Sequence, residues 1–242
     1  MKIVEKIMAK QRDLNANPPV TIAFFGDSVT QGCFELYKTG EEGILPEVRI
    51  EEGYHTKLRS IIQMLYPMVP INMIYGGISG GNTEVALGRV ERDVCAFNPD
   101  LTIVCFGLND CCVGESGHEG YRNALKGIFK KLKECGSEII FMTPNLIPEE
   151  VSPEEKDEYT KKVLTDIVRM AKGSLQKYLA IAREVCAEEN IPVCDCYKIW
   201  ERLDACEVNT TRLLSNRINH PTHDMHWLFA FKLAEMIFMS EN

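Results

Sequence analysis

The chain has 242 residues, of which 45% are hydrophobic and 26% charged, as is usual for a globular protein. Its net charge of −8 argues against nucleic-acid and anionic-membrane partners, because both require clustered Lys and Arg. The charged N-terminal segment has no apolar core, and no run approaches the ~18 apolar residues of a membrane helix, so we expect a cytoplasmic protein.

Five short apolar segments predict β-strands, and longer segments with helical periodicity lie between them. This alternation predicts a parallel sheet covered on both faces, and therefore a three-layer α/β/α sandwich. We expect residues 1–242 to form a single domain, because no repeat, linker or low-complexity segment interrupts them. The predicted strands are residues 20–25, 70–75, 101–106, 138–142 and 191–194. Predicted helices open the chain and lie near residues 54–66, 82–95, 119–135, 157–189 and 223–240.

Each of the first three predicted strands runs directly into a polar turn that contains glycine. The turns have the sequences GDS at 26–28, GGISG at 76–80 and GLND at 107–110. Because ligand sites in open parallel sheets form at the carboxyl ends of the strands, we expect these turns to meet on one rim of the sheet.

Together with an NHP sequence at 219–221, these turns resemble the SGNH subgroup of the GDSL hydrolases. The motifs stand in the family's order and span almost the whole chain. The resemblance implies a flavodoxin-like sandwich with a five-stranded, mostly parallel sheet, and a serine esterase that uses no cofactor and no metal. It also implies a role for four residues, with Ser28 as nucleophile, His220 as general base, and Gly77 and Asn109 as oxyanion-hole donors beside the Ser28 N–H.

The chemistry of ester cleavage explains these residue types. A serine hydroxyl becomes a good nucleophile when a base takes its proton, and histidine suits that task near neutral pH. Attack on the ester carbonyl creates an oxyanion, which donors already in position stabilise. Glycine allows the backbone to approach the oxyanion closely, because it has no Cβ.

The residue that orients His220 is left open by the sequence. The family commonly has an Asp three residues before the histidine, whereas this chain has Arg217 there. Three alternatives are the side-chain oxygen of Asn216, the carboxylate of Asp224, and a backbone carbonyl that leaves a Ser-His dyad.

Other polar residues near the turns have competing interpretations. Residues 77–81 match the GxSxG elbow, which would make Ser79 the nucleophile of an α/β-hydrolase, but that reading leaves GDS and GLND unexplained. Asp27 and Asp110 are expected to support the turns by hydrogen bonds or simply to cap helices. We predict no metal site, since His223 and His226 fit a helix, and the ten cysteines have no metal-binding spacing and are expected to be reduced.

Residues 33–52 and 143–157 exceed what a minimal sandwich needs and are candidates for substrate walls or a lid, with Phe34, Leu36 and Tyr37 as possible contacts. We predict an esterase that cleaves short acyl groups, above all acetyl, from a carbohydrate or small glycoconjugate. The alternatives are a lysophospholipase or thioesterase, an acyltransferase, and a catalytically weak binding protein that keeps the fold. The expected partner is a small-molecule ester, and the oligomeric state is left open.

Overall fold

The computed structural model describes residues 1–40 and 43–239. Residues 41, 42 and 240–242 lie outside the described residues. The first two belong to the middle of the 33–52 segment, and residue 240 is the end of the predicted last helix.

Within the described residues the chain alternates between strands and helices, in the order that the apolar segments predict. The strands are β1 (Val20–Gly26), β2 (Cys33–Lys38), β3 (Ile44–Val48), β4 (Ile71–Gly77), β5 (Leu101–Cys105), β6 (Glu138–Met142) and β7 (Val193–Cys194). The helices are α1 (Lys2–Arg12), α2 (Ser28–Gln31), α3 (Tyr54–Leu65), α4 (Thr83–Asp93), α5 (His118–Glu134), α6 (Glu158–Ala171), α7 (Leu175–Glu188), α8 (Tyr197–Ala205) and α9 (His226–Met239).

Five parallel strands form the central sheet in the order β4-β1-β5-β6-β7. Helices α1, α3 and α9 pack together in one layer, and α4, α5 and α7 pack together in the other. The predicted three-layer α/β/α sandwich is therefore confirmed. None of the described helices combines the length and the hydropathy that crossing a bilayer requires.

Burial explains why the strand segments are so apolar. Every residue of β5 is buried, and only Thr21 of β1 is partly exposed, because both strands lie in the middle of the sheet with helices on each side. Strand β4 lies at the edge and mixes buried with exposed residues.

Two expectations about the elements need correction. The predicted single helix over 157–189 is two helices, because α6 ends at Ala171 and Gly173 adopts a left-handed φ of +68° before α7 begins. Within the 33–52 segment, β2 and β3 pair as an antiparallel hairpin that the apolar pattern does not predict. Its strands carry exposed and charged residues, since the hairpin stands outside the central sheet.

Candidate active site

The carboxyl ends of the first three sheet strands lie side by side. Gly26 at the end of β1 is level with Gly77 of β4 and with Cys105 of β5. The three turns that follow these strands therefore start from one rim of the sheet, as the sequence predicts.

The turn after β1 sets the position of Ser28. The Asp27 carboxylate accepts a hydrogen bond from the Val29 N–H at 3.0 Å, which makes Asp27 the N-cap of α2 and Ser28 its first residue. The helix lasts one turn, because Gly32 has a left-handed φ of +87° and its N–H donates to the Ser28 carbonyl at 3.1 Å. The chain then enters β2, so Ser28 and Phe34 are held by one short segment.

The side chain of His220 lies between Ser28 and this segment. Its Nε2 is 3.0 Å from Ser28 Oγ, and its Nδ1 is 2.9 Å from the Phe34 carbonyl oxygen. Because a carbonyl oxygen can only accept, Nδ1 must carry the proton when the ring is neutral, which leaves Nε2 free to accept from the serine hydroxyl. The geometry thus fixes the tautomer that a general base requires.

Burial sets the protonation state of this histidine. His220 is only 5% exposed, and burial lowers its pKa to about 4, although the Phe34 carbonyl and the nearby Glu35 carboxylate favour the charged form. The ring is consequently neutral at neutral pH.

The side chains of Asn216 and Asp224 do not take the place of the Phe34 carbonyl. Asn216 Oδ1 accepts from the backbone N–H groups of Ile218, Asn219 and His220 at 2.9 to 3.0 Å, so its oxygen shapes the turn rather than the ring. Asp224 is exposed. In the described part of the chain, the backbone carbonyl is the alternative that contacts Nδ1.

Arg217, at the position of the family's Asp, points away from this ring. It adopts a left-handed φ of +61°, and its guanidinium binds the Arg212 carbonyl at 3.2 Å and approaches the Glu154 carboxylate at 3.4 Å. The Phe34 carbonyl therefore contacts Nδ1 where the family usually has a carboxylate.

The other two turns bring Asn109 and Gly77 to the same rim. The Asn109 amide donates to the Gly81 carbonyl at 2.9 Å, which ties the GLND turn to the turn after β4 and leaves a second amide N–H. A Cβ on Gly77 would overlap the backbone of Thr30 and Gln31, so glycine is required there for close packing against α2. The role of both residues as oxyanion donors stays a prediction.

Two buried carboxyl groups support the turns. Asp110 Oδ1 accepts from the backbone N–H and the hydroxyl of Thr83 at 2.8 and 2.6 Å, which attaches the GLND turn to the start of α4. Burial raises the pKa of Asp110, and it raises that of Asp27 to about 7, where the nearby Asp110 adds to the increase. The Oδ2 atoms of both are buried without a hydrogen-bond partner among the described residues.

Ser79 does not take part in the hydrogen bond that His220 makes with Ser28. Ser79 lies in an exposed turn, where its backbone N–H donates to Gln31 Oε1 at 2.6 Å. The described hydrogen bonds link His220 to Ser28 instead.

The prediction that Phe34 contacts substrate is wrong. Its side chain is fully buried and stacks on the His223 ring, with ring centres 3.9 Å apart. His226 is also in the core, where its Nδ1 accepts from the Tyr54 N–H at 2.9 Å. Among the described residues, no group of three or more His, Cys, Asp and Glu side chains is arranged to hold a metal ion.

Arg89 is a supporting residue that the sequence analysis missed. Its guanidinium donates to the carbonyl oxygens of Gly76 and Gly26 at 2.7 and 3.0 Å, and so holds the ends of β4 and β1 together. The side chain is buried and lies over the ring of Phe25, 4.6 Å from its centre. An arginine on the buried face of α4 is the signal that would have found it.

Comparisons with known proteins agree with this architecture. The model of the GDSL-like lipase/acylhydrolase family matches residues 24–228, so the chain belongs to that family. An acetylxylan esterase of Geobacillus stearothermophilus is 28% identical over 132 residues, which are 51% of this chain and 58% of that protein. The chain thus spans little more than half the length of this relative.

Solved structures share the fold at low sequence identity. A two-domain esterase active on acetylated mannans, co-crystallised with mannopentaose, has a TM-score of 0.69 at 17% identity, over 97% of this chain and 52% of that one. An acetyl xylan esterase has a TM-score of 0.66 at 20% identity, over 90% of this chain and 100% of that one.

Proposed function

We propose that this chain is a serine esterase that removes acetyl and other short acyl groups from carbohydrate esters. The observation that carries the proposal is the alignment of Ser28 Oγ, the His220 ring and the Phe34 carbonyl, with distances of 3.0 and 2.9 Å. These distances lie within the range required for a base and its nucleophile. Membership of the GDSL-like lipase/acylhydrolase family supports the same chemistry.

In the proposed mechanism, His220 Nε2 takes the hydroxyl proton as Ser28 Oγ attacks the ester carbonyl carbon. The imidazolium that forms keeps its Nδ1 proton on the Phe34 carbonyl, and the nearby Glu35 carboxylate favours its positive charge. His220 then gives the Nε2 proton to the leaving alcohol, and the acyl group remains on Ser28. A water activated by the same nitrogen releases the acid and restores the serine.

The proposed oxyanion hole uses donors from each of the three turns. Ser28 is the first residue of α2, where backbone N–H groups have no partner within the helix. The second amide hydrogen of Asn109 and the Gly77 N–H complete the set. The hydrogen bond to the Gly81 carbonyl holds the amide in place before the reaction, which is what efficient oxyanion stabilisation requires.

The choice of substrate follows the relatives. The curated relative is named an acetylxylan esterase, and a structural neighbour is active on acetylated mannans. We infer that acetylated sugars are the substrate class, and the assay described next distinguishes them from lysophospholipids and thioesters. We also infer a single domain, because one apolar core connects the sheet to both helical layers.

The test compares the wild type with Ser28→Ala and Ser79→Ala on p-nitrophenyl acetate, acetylated xylo-oligosaccharides, a lysophospholipid and an acyl-CoA thioester. We expect Ser28→Ala to lose activity by on the order of 10⁴-fold or more, and Ser79→Ala to retain it. A fluorophosphonate should label Ser28 alone. Activity that survives Ser28→Ala would overturn the proposed nucleophile, and a wild type that is neither active nor labelled would favour a binding protein.

A further inference from the structure

A cleft lies beside the His220 turn, and the proposed mechanism does not use it. Its volume is about 470 Å³, which is within the range of ligand-binding pockets and larger than an acetyl group needs. Three segments form its walls: the β2–β3 hairpin, the segment at 154–160, and the turn at 215–217. We refer to it as the hairpin cleft.

The walls of the hairpin cleft also hold His220 in place. Glu35 follows directly after Phe34, whose carbonyl contacts the His220 ring. On the opposite side, the Ser215 N–H donates to the His220 carbonyl at 2.7 Å, and Asn216 Oδ1 accepts from the His220 N–H at 2.9 Å. A molecule in the cleft would therefore lie beside the two segments that hold the proposed catalytic base.

The lining of the cleft suits hydroxyl groups. The cations of Lys38 and Arg217 and carboxylates such as that of Glu154 line it, so a molecule with many hydroxyl groups finds both donors and acceptors. The Tyr37 ring is 51% exposed on the hairpin, which offers a flat apolar face to a sugar ring.

The charges in the cleft do not balance. Its walls carry the cations Lys38 and Arg217, which pair with Asp157 and Glu154 across the cleft. Among the described residues that line the cleft, four carboxylates face these two cations, and the Arg212 guanidinium reaches Glu154 at 2.9 Å from outside the lining, so a net negative charge remains. The other two carboxylates are those of Glu35, which lies 3.5 Å from the His223 ring, and of Glu155, which accepts from the Asp157 N–H at 2.8 Å. An anionic ligand would be repelled, because like charges in a partly enclosed site disfavour binding.

We propose that the hairpin cleft binds the sugar rings next to the acetylated one in an oligosaccharide, and that it rejects rings that carry a carboxylate. This assignment rests on the proposed esterase function and adds to it a place and a charge preference for the alcohol side of the substrate.

Binding of sugars without acetyl groups tests the assignment independently of catalysis. Calorimetric titrations would measure the binding of three sugars: xylotetraose, tetragalacturonate and the glucosamine tetramer. Each sugar would be titrated into the wild type and into the variants Tyr37→Ala, Tyr37→Phe and Phe97→Ala. Phe97 is the matched control, since its ring is 52% exposed on the short turn that precedes β5. We expect xylotetraose to bind about fivefold more weakly to Tyr37→Ala, as lost stacking area implies, and unchanged to Tyr37→Phe and Phe97→Ala.

Tetragalacturonate should not bind the wild type measurably. The assignment is overturned if xylotetraose does not bind, if Tyr37→Ala binds it as the wild type does, or if tetragalacturonate binds equally well. The glucosamine tetramer should bind at least as tightly as xylotetraose, because its ammonium groups meet a net negative cleft, and weaker binding would overturn the charge preference.

Kinetics separate this assignment from the proposed function. For Tyr37→Ala, kcat/KM on acetylated xylotetraose should fall about fivefold relative to kcat/KM on p-nitrophenyl acetate, mainly through KM. An active esterase that fails to bind xylotetraose would refute the cleft and leave the esterase function standing. A protein that binds xylotetraose but cleaves no ester would refute the function and leave the cleft standing.

Discussion

The Ser28–His220 pair and the hairpin cleft are neighbours that are built in opposite ways. Both members of the pair are at most 5% exposed, and His220 is held by the Phe34 carbonyl and the buried Asn216 side chain. In the cleft, the walls are joined by ion pairs between exposed side chains, such as Lys38 with Asp157. The positions of the proposed catalytic groups therefore depend on buried hydrogen bonds, whereas the proposed sugar specificity depends on exposed side chains, which can be replaced.

This contrast indicates where substitutions will be costly. A buried polar group that loses its partner costs far more than an exposed ion pair that breaks, because water compensates only for the second. The rim of the sheet should tolerate little change, and the exposed ion pairs of the cleft should tolerate much.

Outside the Ser28–His220 pair, the largest expected effect is at Asn109. Asn109→Ala should lower kcat by about 10²–10³-fold with a small change in KM, because an oxyanion donor acts mainly in the transition state. Steady-state kinetics on p-nitrophenyl acetate would measure it, with Asn123→Ala on α5 as the matched control. A change confined to KM would contradict the role of the amide.

Asp27 should have the next largest effect, on stability. Its pKa is raised to about 7, so the stability that its protonated form contributes is present at low pH and is lost as the pH rises towards and through 7. Asp27→Asn keeps an acceptor for the Val29 N–H without a buried charge, and should be more stable than the wild type at pH 8 by about 1–3 kcal/mol.

Denaturant unfolding at pH 5 and pH 8 would measure the difference, with the exposed Asp13→Asn as control. If the stability difference between Asp27→Asn and the wild type did not grow with pH, a charged Asp27 would have to be stabilised by its surroundings.

The pH dependence of the reaction should show the buried state of His220. With a pKa of about 4, the ring stays neutral and active as the pH falls to 5.5. A histidine with the ordinary pKa of 6.5 would lose roughly tenfold in kcat/KM at that pH. Profiles of kcat/KM on an uncharged ester between pH 3.5 and 8 would decide between these cases, and a fall centred near 6.5 would place the base in contact with water.

The smallest expected effect is in the cleft. Lys38→Ala removes an ion pair with Asp157 in which both side chains are at least one-third exposed, and should change the free energy of unfolding by less than about 1 kcal/mol. Thermal unfolding at low and high salt would test this, with Lys130→Ala on α5 as a comparison. A larger, salt-insensitive loss would mean that the cleft is as tightly built as the rim.

The sequence predicts most of this architecture for clear physical reasons. Buried strands such as β5 must be apolar along their whole length, and the motif-bearing turns must follow them. The hairpin is not predicted, because Glu35, Tyr37 and Lys38 lie outside the core and leave no apolar pattern. The partner of His220 is not predicted as a specific residue, since a backbone carbonyl has no side-chain signature.

The contact between His220 and the Phe34 carbonyl has a consequence for genetics. Every residue type supplies a carbonyl oxygen, so no single substitution at position 34 deletes the acceptor. A systematic alanine scan would thus detect the serine and the histidine but not the group that orients the histidine. The third contributor would emerge only from insertions or deletions that shift the register of the segment between Ser28 and Phe34.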